Sequence, residues 1–102
     1  MIVTFSKPAT YSGKKRIEAT LSGLCTDVEA TPRLLITQVF KGSGEENNVY
    51  IIQNQYASEH FQSVQYKTLA SGLKLKDAKN LAEELLKSVT DISHGGKLTF
   101  NN

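Results

Sequence analysis

Tryptophan is absent from the 102 residues, and cysteine occurs once, at Cys25. A lone cysteine excludes an internal disulfide and fits a reducing compartment. No apolar run approaches the roughly 20 residues that a membrane-spanning helix needs. The apolar start, Met1 to Phe5, is too short for a secretory signal and lacks its charged flank, so the expected localisation is cytoplasmic. Neither sign of charge is in excess: 12 Lys and Arg against 10 Asp and Glu leave +2. That balance is not acidic enough for a nucleic-acid mimic, nor basic enough to make nucleic acid the default partner. Cys25, His60 and His94 are the only classical nucleophiles or soft metal ligands, and no two share a ligand spacing. Glu83 and Glu84 are neighbours on a helix, so their side chains diverge by about 100° and form no carboxylate pair. Lys41-Gly42-Ser43-Gly44 lacks the strand-to-helix setting of a phosphate loop. The expectation is a non-enzyme without catalytic residues, metal or cofactor.

What is present begins with Leu73–Val89, the segment whose periodicity settles its conformation. Leu75, Ala78, Leu81, Ala82, Leu85, Leu86 and Val89 recur at steps of three and four and share one helical stripe. Lys76, Asp77, Lys79, Asn80, Glu83, Glu84 and Lys87 fill the other side. Ala, Leu, Lys and Glu are good helix formers, and Lys79–Glu83 and Glu83–Lys87 each add about 0.2–0.5 kcal/mol. Lys74 is a poor N-cap, with Asp77 placed near the positive end of the dipole.

The chain before it reads as strands, and residues 1–102 read as one domain. Ile2–Phe5 is a short strand, 6–15 a loop around Pro8 and Gly13, and Arg16–Leu21 an alternating strand that pairs back on the first. Residues 22–32 are a connection in which Thr26–Glu29 has capping-box spacing. Arg33–Phe40, Val49–Tyr56 and Phe61–Leu69, joined by short turns, form an antiparallel meander, and Lys97–Phe100 adds a brief edge strand. The expected fold is therefore α+β: a mostly antiparallel sheet of four to five strands, made of an N-terminal hairpin and a meander, with one C-terminal helix across a face.

Alternation divides the meander into two faces. Leu34, Ile36, Phe40, Tyr50, Ile52, Tyr56, Val64 and Tyr66 are apolar enough to receive the helix. The other face is mixed, with Leu35, Val39, Val49 and Ile51 at one end and Gln53, Gln55, Gln65 and Lys67 toward the other. Those four aliphatics need cover from the N-terminal hairpin or from a second copy in a homodimer. Glutamine offers both donor and acceptor and is cheaper to desolvate than a charge, so the polar end suits protein recognition. Gln53, Gln55, Gln65 and Lys67, with Lys74 and Lys76 at the helix start, form the candidate partner surface.

A second candidate is basic. Lys14, Lys15 and Arg16 are three adjacent cations at a hairpin tip, able to meet phosphates. Gly72-Leu73-Lys74-Leu75-Lys76-Asp77-Ala78-Lys79-Asn80, with Ala82 after it, resembles the last helix of double-stranded RNA-binding domains, where a meander also runs into a lysine-rich helix start. The likeness covers about a dozen residues. Leu75 interrupts that family's lysine run, and strand-like Arg16–Leu21 stands where its first helix belongs. The resemblance implies phosphate contacts from Lys74, Lys76 and Lys79, and this nucleic-acid reading requires the hairpin tip and the helix start to share a side.

The leading functional expectation is a non-enzymatic protein-binding module of bacterial or phage type. Its role would be that of an inhibitor or accessory factor, such as an anti-defence protein of the anti-CRISPR kind. Another protein is the expected partner, nucleic acid the alternative, and no membrane is expected.

Overall fold

The computed structural model describes residues 2–22, 32–40, 44 and 48–101. Among the described residues, eight strands and one α-helix form a small α+β domain. The strands β1 (Val3–Phe5), β2 (Ala9–Tyr11), β3 (Lys14–Leu21), β4 (Leu34–Phe40), β5 (Val49–Ala57) and β6 (Val64–Leu73) build one antiparallel sheet. Its order, β1-β3-β4-β5-β6, follows the chain, with β2 also pairing β3. The helix α1 (Leu75–Lys87) then crosses one face, and β7 (Val89–Ser93) and β8 (Lys97–Phe100) close a separate hairpin.

The first edge is one strand in two pieces. β1 pairs with β3 from Val3↔Leu21 to Phe5↔Ala19, and β2 pairs with it from Ala9↔Arg16 to Tyr11↔Lys14. Between them Ser6 stays attached. Its N–H donates to the Glu18 carbonyl at 2.9 Å, and its hydroxyl accepts the Glu18 N–H at 2.9 Å. Pro8 has no N–H to offer a ladder. Ala9–Tyr11 lies inside the segment expected to be a loop. Ser12 and Gly13, at φ 51° and 77°, make the left-handed two-residue turn that returns a strand on itself, so the pairing extends up to it.

The core lies between the sheet and α1. Ile17, Ala19, Leu21, Leu34, Ile36, Tyr50 and Ile52 project from the sheet, and Ala78, Ala82 and Leu86 meet them at four-residue steps. Leu75, Leu81 and Leu85 close the flanks. Small Ala78 and Ala82 at the centre let the helix backbone approach the sheet. The helix begins one residue after Lys74, which caps it without a side-chain bond, and stops at Lys87. Ser88 ends it, its N–H reaching the Leu85 and Leu86 carbonyls and its hydroxyl Leu85 O at 2.9 Å. The helical stripe was drawn through Val89; instead Val89 opens β7, opposite Phe100. Of the two expected i,i+4 pairs, Glu83–Lys87 is present at 3.0 Å, whereas the Lys79 ammonium stands 5.7 Å over the Phe5 ring.

The expected edge strand at Lys97–Phe100 does not join the main sheet. It pairs with β7, and this hairpin docks on the helix side through Leu98, Ile92 and Asn54. Asn54 on β5 is fully buried. Its Oδ1 accepts the Leu98 N–H at 2.8 Å, and its Nδ2 lies 3.3 Å from Gly96 O and 3.2 Å from Arg33 O. Gly95, at φ 66°, passes so close to β5 that a Cβ there would lie 2.6 Å from Ala57 N.

Three one-residue bulges correct the two-face reading. In β4, Gln38 pairs with Tyr50 but Phe40 with Val49, so Val39 is the extra residue. In β6, Tyr50↔Leu73, Ile52↔Ala70 and Gln53↔Thr68 leave one extra residue at Leu69 and one at Ser71–Gly72. Each bulge shifts which parity faces the core. Phe40 therefore joins Val49 on the side away from α1 and is 57% exposed. Val64 and Tyr66 pair with Ala57 and Gln55, so they too face away from the helix. Neither belongs to the core assigned to them from alternation. The third expected meander strand also begins later, at Val64, because Glu59–Phe61 makes a 3-10 turn with His60 at φ 67°.

Candidate functional site

The register divides the expected partner surface. Gln53 and Gln55 lie on the sheet face away from α1, opposite Thr68 and Tyr66. Gln65 and Lys67 pair with Tyr56 and Asn54, so they lie on the helix side, next to the β7–β8 hairpin. The glutamines also have work inside the molecule. Gln53 Nε2 donates to Thr68 Oγ1 at 3.2 Å, Gln55 Oε1 accepts from Arg33 at 3.1 Å, and Gln65 Nε2 reaches Ser63 Oγ at 3.3 Å. Gln38 is buried and accepts the Lys15 N–H. Arg33 continues to Glu18 at 3.8 Å, so a polar chain ties β3, β4 and β5 together on this face. Much of the glutamine signal therefore reports cross-strand bonding.

The aliphatic end of the same face is not an open patch. Leu35 is 0% exposed, and Val49 and Ile51 are half-buried, leaving Val39 and Phe40 exposed. The N-terminal hairpin extends the sheet edge to edge and does not lie over this face. The homodimer surface expected from Leu35, Val39, Val49 and Ile51 thus loses Leu35 and retains Val39, with Phe40 beside it.

An extended exposed feature among the described residues is β6. Its ten residues form the last strand of the sheet, and among the described residues it pairs with β5 alone. Val64 to Thr68 are all exposed, with Val64 at 54% and Tyr66 at 47%. A long, unpaired edge presents a row of backbone donors and acceptors. The first edge, β1 and β2, offers two pieces of three residues each. Lys67 is the only charge on β6.

Beside the start of β6 opens a cleft of about 500 Å³, lined by Tyr56, Ala57, Ser58, Glu59, Gln65, His94 and Lys97. The Lys97 ammonium sits 5.2 Å over the Tyr56 ring. His94 Nε2 lies 2.8 Å from the Ser58 carbonyl, and Ser58 closes its own turn by bonds to Ser63 at 2.8 and 2.9 Å. Sequence reasoning missed this site because its walls come from two stretches far apart in the chain, residues 56–65 and 94–97. His94, in the turn between β7 and β8, lines the cleft, while His60 lies in the turn after β5 with its Nε2 3.8 Å from Glu59. Cys25 lies outside the described residues, as do Thr26–Glu29 and most of Lys41–Gly44. Among the described residues no three metal-ligating side chains gather, and no helix is long and apolar enough to cross a membrane.

The basic residues come together only in part. Lys15, bonded to Gln38, stands in the same row of the sheet as Tyr50 and Leu73. Lys74 follows directly, so the hairpin tip and the helix start share one end of the sheet, three strand spacings or about 14 Å apart. Lys14 and Arg16, however, alternate with Lys15 and lie on the opposite face, where the Arg16 guanidinium stacks 4.7 Å over the Tyr11 ring. Lys76 is exposed and Lys79 leans on Phe5, while Asp77, Glu83 and Glu84 share the outer surface of α1. The likeness to double-stranded RNA-binding domains also stays local. Residues 2–22 are strand and turn with no helix, and a second hairpin follows α1. No family model, no curated protein and no solved structure matches the chain.

Proposed function

We propose that the chain is a non-enzymatic protein-binding module, acting as an inhibitor or accessory factor, and that it engages its partner along β6. The single observation that supports this reading is the ten-residue outer strand, exposed from Val64 to Thr68 and paired on one side only. A partner strand laid against it would gain main-chain hydrogen bonds for affinity. Alternate side chains would supply specificity. Tyr66 and Val64 provide apolar contact on one side and Lys67 and Gln65 polar contact on the other. Gln53 and Gln55 then act as the floor beside the strand rather than as the contact itself.

Capture from the native host, read by mass spectrometry, tests the surface. The double variant Val64→Glu/Tyr66→Glu should lose the proteins that the parent retains, while Lys76→Glu on the outer surface of α1 should keep them. Equal capture by all three proteins would remove β6 as the binding surface.

A second reading, nucleic-acid binding, draws support from the shared end occupied by Lys15 and Lys74. The opposite placement of Lys14 and Arg16, and the acids among the lysines of α1, favour the protein-binding reading over it. Filter binding separates the two. A phosphate-contacting protein loses affinity steeply as salt rises, and absence of retention at low salt counts against this alternative.

A further inference from the structure

The two sides of β6 differ in chemistry, and the difference specifies what kind of strand it accepts. Val64, Tyr66 and Thr68 line the side away from α1, with no charge among them. Gln65 and Lys67 line the helix side, where Lys97 and His94 stand at the adjoining cleft of about 500 Å³. The one acid lining that cleft, Glu59, has its side chain 86% exposed. Side chains of an added strand would alternate between these two environments, with same-side residues roughly 6.8 Å apart. One set would meet Val64 and Tyr66, the other Lys67 and the cleft wall formed by Lys97.

We infer that the edge accepts an extended acidic peptide segment, with carboxylates at every second position on the Lys67–Lys97 side and β-branched or aromatic residues on the Val64–Tyr66 side. This rests on the proposed role of β6 and adds the partner's chemistry. Charge argues against a second copy as the occupant. β6 carries one cation and no acid, so another β6 brings no counter-charge to Lys67. An acidic strand supplies it, and like-charged strands are rejected by the same group.

The experiment titrates the whole protein into two fluorescein-labelled heptapeptides, one alternating glutamate with valine and one alternating lysine with valine, at low salt. The acidic peptide should bind at least about tenfold more tightly than the basic one, and added salt should narrow the gap. Lys67→Glu/Lys97→Glu should reverse the order, a result that loss of folding would not produce. Amide exchange in residues 64–73 should slow when the acidic peptide is bound.

Equal binding of the two peptides would overturn the inference, as would binding that leaves exchange in 64–73 unchanged. Light scattering that shows a dimer competing with the peptide would overturn it in favour of a second copy. If neither peptide binds while Val64→Glu/Tyr66→Glu still abolishes partner capture, the acidic-strand inference falls and the reading of β6 as the binding edge stands.

Discussion

Asn54 joins parts of the chain that are far apart in sequence. Its amide satisfies the Leu98 N–H and the Gly96 and Arg33 carbonyls at a fully buried position. Asn54→Ala would strand those groups away from water, and each stranded buried group costs about 1–3 kcal/mol. Urea unfolding should therefore show a loss of about 3 kcal/mol for that variant. Two glycines give a sharper contrast. Gly13 and Gly95 both have positive φ, but a Cβ at Gly13 meets open space, whereas at Gly95 it would lie 2.6 Å from both the Ala57 N and Cβ. Gly13→Ala should cost about 1–2 kcal/mol from backbone strain alone. Gly95→Ala should cost clearly more, because a backbone atom has no rotamer into which to retreat. Thermal unfolding of the pair reads the difference. Neither role was legible in the sequence: an Asn inside a strand and a Gly-Gly after a helix carry no mark of the segment that will pack on them.

Helix and sheet were legible to different depths. The stripe Ala78, Ala82 and Leu86 follows from a local period, and the structure buries those three residues fully. Leu86→Ala should cost about 2–5 kcal/mol, while Lys87→Ala, which loses the surface bond to Glu83, should cost under about 1 kcal/mol. Denaturant midpoints of the two variants test whether α1 holds through its stripe or through its charges. Strand existence was likewise readable from alternation in Arg16–Leu21 and the three meander segments. Facing was not, because a bulge is a property of two strands. Val39 and Leu69 look like ordinary members of their runs, and only the register against β5 makes them extra. That is why Phe40 was assigned to the core and appears on the surface; Val64 and Tyr66 do so because the turn after β5 sets the register Ala57↔Val64, which puts the odd residues Gln65 and Lys67 of β6 on the helix side. The expected partner set is split between two faces by the same register. Gln53 and Gln65 share parity in the sequence but lie on opposite sides of the sheet. Lys97 and His94 could not have been grouped with Lys67 from sequence, since the β7–β8 hairpin reaches β5 through the buried Asn54.

At the scale of the molecule the sheet has two unlike edges. One is cut into three-residue pieces at Ser6, Lys7 and Pro8; the other runs for ten residues, bulged at Leu69 and at Ser71–Gly72, and carries a single charge. Lys67 then guards that edge against pairing with the wrong strand, as charged residues do on exposed edges generally. Lys67→Val should raise self-association, detected as larger particles in light scattering at increasing concentration, whereas Lys7→Val on the interrupted edge should not. The break at Pro8 also bears on stoichiometry. A sheet with two open sides could be joined at both, and a chain of such sheets need have no end. On the reading proposed above only the β6 side docks, so an assembly made through it terminates after one addition. The module would take its partner one to one and leave the complex with no side from which a fibre could grow.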